Sequence, residues 1–404
     1  MQLNTTFLVT TYEKENKKGI LCAVLENGHP IELALEPAEN PSLLGNIYIG
    51  KIKNLAPQIG AAFIEIAEGQ ICYYAIQENP APIIVNRRHT DAKKPLVEGD
   101  ELIVQVSREA LKTKAPAVTS NLNFPGKYLV LTSGENRLGI SGKLPEEERE
   151  RLKALLTPLW DGSFGLIART NAAGVEEAVL KEELQRLKTA YETVLEKGRT
   201  RTCFTKLSQE EPDFVNLLKG IPKEALTEIV TDNRELYETL HNYLREFQPE
   251  DLPKLRLYED RLLPLSKLYS LEKALEEAVR ERVWLKSGGY LVIQPTEALT
   301  VVDVNTGKYE AGKKKQNTFW KINREAAIET ARQLRLRNLS GIVIVDFIDM
   351  ESQEDKDALM ELLRTELRKD PVKAAVIDMT KLNLVEITRK KVRKSLAEQL
   401  LALQ

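Results

Sequence analysis

Residues 299–305 read LTVVDVN and residues 341–349 read GIVIVDFID. Each is a run of β-branched and apolar residues of strand length that closes on an aspartate. Residues two apart in a strand share a face, so Asp303 and Asn305 point to one spot at the end of the first run. The second run is apolar throughout, which predicts a strand buried on both faces that presents Asp346 at its carboxyl end, with Asp349 three residues on. Ligands of open α/β sheets bind outside the carboxyl ends of strands. If the two strands are neighbours, Asp303 and Asp346 converge there.

The flanking sequence supports such a layer. The last third alternates: YLVIQ (290–294) and ALTVVDV as strands, INREAAIETARQL (322–334) as a helix, GIVIVDF as a strand, DKDALMELLRTEL (355–367) as a helix, then KAAVIDM (373–379) and LVEIT (384–388) as strands. Residues 1–38 hold two β-like runs, TFLVTTY and GILCAVLE, and the turn ENGHP, too little to bury a face alone. Residues 44–118 give LGNIYIGKIKNL, GAAFIEI, QICYYAI and ELIVQVS, short strands with glycine punctuation that predict a small barrel. Two strand-like pieces follow, KYLVLTS and GLIART, and then a long amphipathic helix in which Leu180, Leu184, Leu187, Tyr191 and Val194 recur at three and four, with Gly198 as its natural stop. Between 216 and 280 the pattern is mixed, with ALTEIVTD as a strand and RELYETLHNYL and LEKALEEAVRERV as helices.

A chain of 404 residues is long for one core and predicts two to four domains, or one domain with insertions. Apolar residues at 42% and charged ones at 29% predict a soluble globular protein. The start shows no basic region followed by an apolar run, and no segment approaches eighteen uninterrupted apolar residues, so the expectation is a cytoplasmic protein with no membrane partner. Cys22, Cys72 and Cys203 form no CxxC, which argues against a disulfide framework or a structural zinc site within one chain. His29, His89 and His241 are equally scattered, which counts against a histidine-based nuclease or a Ser-His-Asp triad. Any acid or metal chemistry must then come from carboxylates.

Two carboxylates with an amide suit Mg2+, which takes hard oxygen ligands, retains waters and binds substrate phosphate. The plainer alternative is that each aspartate caps the helix or turn after it. A net charge of −2 is not the footprint of a generic nucleic-acid binder, but its distribution is uneven: residues 381–394 carry six Lys or Arg against one Glu. Lys313 to Lys315, with Arg332, Arg335 and Arg337, could engage a polyanion beside the aspartates. In the barrel segment, Phe63 and Tyr73 lie on predicted strands with Lys51, Lys53 and Lys114 near in sequence, the mix of π faces and cations that single-stranded RNA binders use. Strand aromatics are also commonly core, and that reading stays open.

Taken together, these segments resemble the ribonuclease E/G family, in particular its compact ribonuclease G type. The likeness is carried by LKSGGYLVIQPTEALTVVDVNTG, INREAAIETARQLRLRNLSGIVIVDFIDM and LVEITRKKVRKS, with GNIYIGKI and GAAFIEI similar to the family's inserted OB-fold. It runs from about residue 40 to 400 and is most specific over 285–394. The resemblance implies that Asp303 and Asp346 are Mg2+ ligands and that Asn305 orients the attacking water or scissile phosphate. It implies that Phe63, Tyr73 (in place of a usual Phe) and Lys114 contact RNA, and that Gly126, Val130, Arg169 and Thr170 form a pocket that senses an RNA 5′-monophosphate.

The implied fold is a multi-subdomain α/β chain: an RNase H-like subdomain (1–38 and 216–280) interrupted by an OB-fold barrel (39–118) and a 5′-sensor region (119–215), followed by a DNase I-like catalytic subdomain (281–404). Two departures stand out. The sequence carries no CPxCxG-type zinc-link motif, so the expected homodimer is not bridged by zinc; and Lys381 stands where the sensor pocket usually has an Arg. The function implied is a Mg2+-dependent endoribonuclease that cuts single-stranded, A/U-rich RNA, prefers 5′-monophosphorylated substrates and leaves 5′-phosphate and 3′-hydroxyl ends in mRNA decay and rRNA processing. The rivals are a non-catalytic RNA-binding or ribosome-associated protein of the same fold, and a phosphatase or nucleotide hydrolase on a similar metal pair; the missing Gly-rich phosphate loop disfavours the last.

Overall fold

The computed structural model describes residues 4–14, 17–37, 42–87, 94–110, 115–260, 262–307 and 315–403, with only the backbone for 315–317. The chain divides into two compact units, one made of Met1–Asn40 with Pro222–Gln404 and the other of Pro41–Ile221.

The first unit holds two sheets. In the five-stranded one, Thr5–Lys14 forms a hairpin with Lys17–Glu26, and His29–Pro37 extends it. The turn between the last two is carried by Asn27 and Gly28, both at positive φ, as a tight hairpin demands. On its other side Thr5–Lys14 runs parallel to Leu226–Thr231, so the opening residues gain their missing neighbour from a segment more than two hundred residues away. Helix Leu271–Ala278 covers this sheet through Leu271 and Leu275. It ends at Ala278, because Arg282–Trp284 leaves it to become a strand rather than continuing the helix that LEKALEEAVRERV predicts.

The second sheet of this unit has six strands in the order Arg282–Trp284, Tyr290–Pro295, Leu299–Asn305, Gly341–Asp346, Leu384–Arg389 and Ala374–Met379. Helices Lys315–Leu336 and Gln353–Arg368 supply Ile322, Ala326, Leu359 and Leu363 to a core that includes Leu291, Val302, Val343 and Val345. Among the described residues, only one face is closed in this way. Along Leu299–Asn305 the buried residues are Thr300, Val302 and Val304, which leaves Leu299, Val301, Asp303 and Asn305 on the outer face. Gly341–Asp346 follows suit: Val343 and Val345 are fully buried while Ile342 is 49% exposed. Burial on both faces, expected from its unbroken apolar run, is therefore incorrect, and the strand is two-faced despite a composition that does not alternate.

The second unit contains a closed five-stranded barrel. Ile47–Ala56 pairs with Ala61–Ala67, which pairs with Gln70–Ala75, then Ala117–Thr119, then Glu101–Arg108, which returns to Ile47–Ala56. Ile64, Cys72, Tyr74 and Val104 fill its interior. Beside the barrel a four-stranded sheet, Asn123–Pro125, Leu129–Thr132, Gly165–Ala168 and Leu138–Ile140, packs on helices Glu146–Leu156 and Glu177–Thr200. The latter runs two residues past Gly198, so this glycine does not stop it. Gly198 is buried, and a Cβ there would meet Ile103 Cδ1 at 2.4 Å: the residue is small to let helix and barrel close on each other.

Among the described residues no helix is long and apolar enough to cross a membrane.

Candidate active site

Asp303 and Asp346 are register partners across the parallel pair Leu299–Asn305 and Gly341–Asp346. Both sit at the carboxyl ends of these strands on the outer face, and both are exposed. Asn305, two residues on, donates from Nδ2 to Asp303 Oδ2 at 2.7 Å, which fixes the orientation of that carboxylate. Burial first, and then the negative charges of Asp303 and Asp349, hold the Asp346 carboxyl above its ordinary range. A site that presses carboxylates together is one that gains from a bound cation.

The surroundings hold these groups in place. The turn Lys286–Ser287–Gly288–Gly289 lies under the exit of the Asp303 strand: a Cβ on Gly289 would stand 2.8 Å from the Asn305 carbonyl oxygen, and one on Gly307 would stand 2.3 Å from that of Gly288. Gly307 also has φ +67°, so both backbone conformation and space require glycine there. Glu325 accepts from the Ser287 backbone N–H at 2.8 Å and ties the turn to helix Lys315–Leu336. From the same helix the fully buried Asn323 donates to Ile348 O at 2.7 Å and accepts from Ile348 N at 3.0 Å, which clamps the loop after Asp346. Asn383 donates to Asp349 Oδ1 at 3.1 Å and accepts from Lys356 at 3.0 Å. Neither Asn323 nor Asn383 was singled out from sequence; an amide within an apolar helix face is the signal that marks Asn323.

The arginines expected to meet a polyanion are engaged inside this unit instead. Arg332 donates to Glu329 and to the Pro30 carbonyl, and Arg335 and Arg393 share Glu32. Arg337 is buried, donates to Gln333 at 2.5 Å, and has its guanidinium pushed down to about 10 by desolvation. Arg332 and Arg335 join helix Lys315–Leu336 to strand His29–Pro37, while Arg337 bonds back onto the same helix. Lys313 and Lys314, and the Lys315 side chain, lie outside the described residues.

A divalent ion fits the donor set. Among the described residues no group of three or more His, Cys, Asp or Glu side chains is arranged to hold a metal. Two exposed carboxylates and an amide would leave most of an ion's shell to water and substrate oxygens, which is the habit of Mg2+ and not of structural zinc.

In the second unit, Phe63 and Tyr73 are register partners on adjacent barrel strands, with ring centroids 6.4 Å apart at 77°. Both are half-buried on the outside of the barrel, while Ala62, Ile64, Cys72 and Tyr74 point inward. Lys53 pairs with Glu65 at 2.9 Å on the neighbouring strand. Lys114 lies outside the described residues.

Gly126, Val130, Arg169 and Thr170 gather at one end of the four-stranded sheet: Val130 lies within strand Leu129–Thr132, Gly126 and Arg169 directly follow strands Asn123–Pro125 and Gly165–Ala168, and Thr170 opens the short turn Thr170–Ala172. Val130 is opposite Ile167, Arg169 donates to Gly126 O at 2.5 Å, and the exposed Thr170 hydroxyl lies 2.9 Å from that of Ser141. The residue that organises this corner is Glu183, which sequence reasoning missed. Buried on helix Glu177–Thr200, it accepts the backbone N–H groups of Lys127, Tyr128 and Leu129 at 2.8, 2.9 and 2.7 Å. A Cβ on Gly126 would stand 2.6 Å from its carboxyl carbon. The available signal was a carboxylate within the Leu180–Leu184–Leu187 stripe, where water is absent and a partner obligatory. Lys381 belongs to the other unit, exposed in the turn after strand Ala374–Met379.

A model of the Ribonuclease E/G family matches residues 123–392, which include the whole of the Asp303–Asp346 site. Ribonuclease G of Escherichia coli (strain K12) is 35% identical over 382 residues, covering 93% of this chain and 78% of that protein. Ribonuclease G of Haemophilus influenzae is 33% identical over 386 residues, with the same 93% and 78% shares. Ribonuclease E of a Nostoc species is 33% identical over 352 residues, 86% of this chain and 51% of the relative.

Proposed function

The chain belongs to the ribonuclease E/G family, and from that premise we propose that it is a Mg2+-dependent endoribonuclease acting on single-stranded, A/U-rich RNA in mRNA decay and rRNA processing in the cytoplasm. The observation that carries the reading is the register pairing of Asp303 with Asp346 on the open face of the sheet. A protein that only bound RNA would have no use for paired carboxylates where phosphate must lie, since they repel it.

Asp303 and Asp346 would hold the ion, and Asn305, fixed through Asp303, would orient the attacking water or a phosphate oxygen. When bound, Mg2+ supplies a water of lowered pKa and neutralises charge on the scissile phosphate. No histidine enters, and the products are 5′-phosphate and 3′-hydroxyl ends. Phe63, Tyr73 and Lys114 are assigned to RNA contacts, the first two supported by their outward position on the barrel. Arg169, Thr170, Gly126 and Val130 are assigned to the 5′-monophosphate. The subdomain reading that accompanies this is an RNase H-like first sheet, an OB-fold barrel and a DNase I-like six-stranded layer.

Purified protein incubated with a 5′-monophosphorylated single-stranded RNA is expected to cut it internally with Mg2+ and to stop when the ion is chelated. Cleavage unaffected by chelation would overturn the metal assignment, and intact RNA in both lanes would overturn the activity.

A further inference from the structure

The outer face of the six-stranded sheet carries, at its edge, a group that the proposed chemistry does not use. Trp284 is 64% exposed on edge strand Arg282–Trp284, opposite Tyr290 on the next strand. Their ring centroids are 5.2 Å apart at 59°. The Arg282 guanidinium lies 4.6 Å from the Tyr290 ring centre and 5.8 Å from that of Trp284. An indole left in water contributes little to folding, and edge strands favour charge over aromatic surface, so this trio is not explained by stability. Its register leads to the aspartates. Tyr290 is opposite Asn305, Val292 is opposite Asp303, and Asp303 is opposite Asp346, all on the same face. With strands about 4.8 Å apart, the Trp284 ring stands two strand spacings from Asn305.

We propose that Arg282, Trp284 and Tyr290 form a stacking platform for a nucleobase of single-stranded RNA next to the scissile phosphate at the Asp303–Asp346 pair. This rests on the function proposed above. Two aromatic rings and a guanidinium beside them are what a base with its attached phosphate requires: stacking on the rings, charge at the backbone. The platform tolerates any base, because each presents a π face, and it fixes how the chain crosses the carboxylates.

The test uses RNAs of one sequence in which a single abasic nucleotide is moved through the positions flanking the cut, with kcat/KM measured for wild type, Trp284→Ala, Trp284→Phe and Arg282→Ala. The expected result is a loss of about tenfold or more at one flanking position for wild type, the equivalent of one stacked base. Trp284→Ala should lose as much on intact RNA and show no further loss at that position, while Trp284→Phe keeps most of the rate. Trp284 and Arg282 are exposed, so neither substitution opens a core cavity. Equal abasic penalties in wild type and Trp284→Ala would overturn the platform while leaving the ribonuclease reading intact. A change of mass in Trp284→Ala with an unaltered abasic profile would also overturn it, making the edge a contact between copies. If wild type cuts none of the RNAs, the functional reading fails and the platform falls with it.

Discussion

Asp303 and Asp346 face each other across the one parallel pair of strands in the six-stranded sheet, among the described residues. Parallel partners turn their side chains to the same face, so the carboxylates leave the sheet about one strand spacing, ~4.8 Å, apart. Asp346 registers this closeness: burial and the charges of Asp303 and Asp349 make it harder to ionise.

A pH dependence follows. On the proposed function the ionised form of Asp346 would hold the cation, so activity is expected to be lost as pH falls through its ionisation range, which is raised above that of an ordinary aspartate. Replacing Asp349 with Asn removes one of the charges that raises it, and the acid limb is expected to move to lower pH. Added Mg2+ moves it the same way, because the ion binds only the ionised form. Rate against pH at two Mg2+ concentrations, for wild type and Asp349→Asn, checks both shifts; a limb that stays fixed in all four profiles contradicts them.

At the 5′ end, Arg169 and Thr170 are expected to favour a 5′-monophosphate over a 5′-hydroxyl. A charge-assisted contact to phosphate is worth roughly 1.5–3 kcal/mol, or about 10- to 100-fold in kcat/KM. Competition between two RNAs that differ only in the 5′ group, run with wild type and Arg169→Ala, reads this directly. A preference that disappears in the variant places it on Arg169; equal rates with wild type remove the sensor.

Gly198→Ala tests the packing of the second unit. Helix propensity alone would favour alanine by about 1 kcal/mol. Against that, the new methyl would meet the fully buried Ile103 at Cδ1 and Cγ1. Overpacking of this kind costs about 1–3 kcal/mol. We expect net destabilisation, read as an earlier urea midpoint; a gain would mean that the glycine serves some purpose other than close approach.

How much of this the sequence carried differs by residue. Strands with β-branched runs and helices with three-four spacing were legible, and so was the shared face of Asp303 and Asn305, because these depend on neighbours in sequence. The closed barrel was legible as a set of short strands, though its closure depends on Ala117–Thr119, three residues without a pattern of their own. The exposure of Ile342 was hidden because an apolar run looks the same whether one face or two are covered. Arg335 looked available for phosphate because its partner Glu32 lies some three hundred positions away. For Glu183 the apolar stripe around it signals burial, but its partners were illegible because they are backbone N–H groups, which leave no trace in side-chain identity.

The most direct measurement is cleavage and binding recorded side by side for wild type, Asp303→Asn and Asp346→Asn, on one 5′-monophosphorylated single-stranded RNA with Mg2+. Each substitution keeps shape and removes a negative ligand, so the rate should fall on the order of 10³-fold or more while RNA is still bound, the lost repulsion helping retention. Variants that cut at near wild-type rates would contradict the carboxylate pair as the centre of the reaction.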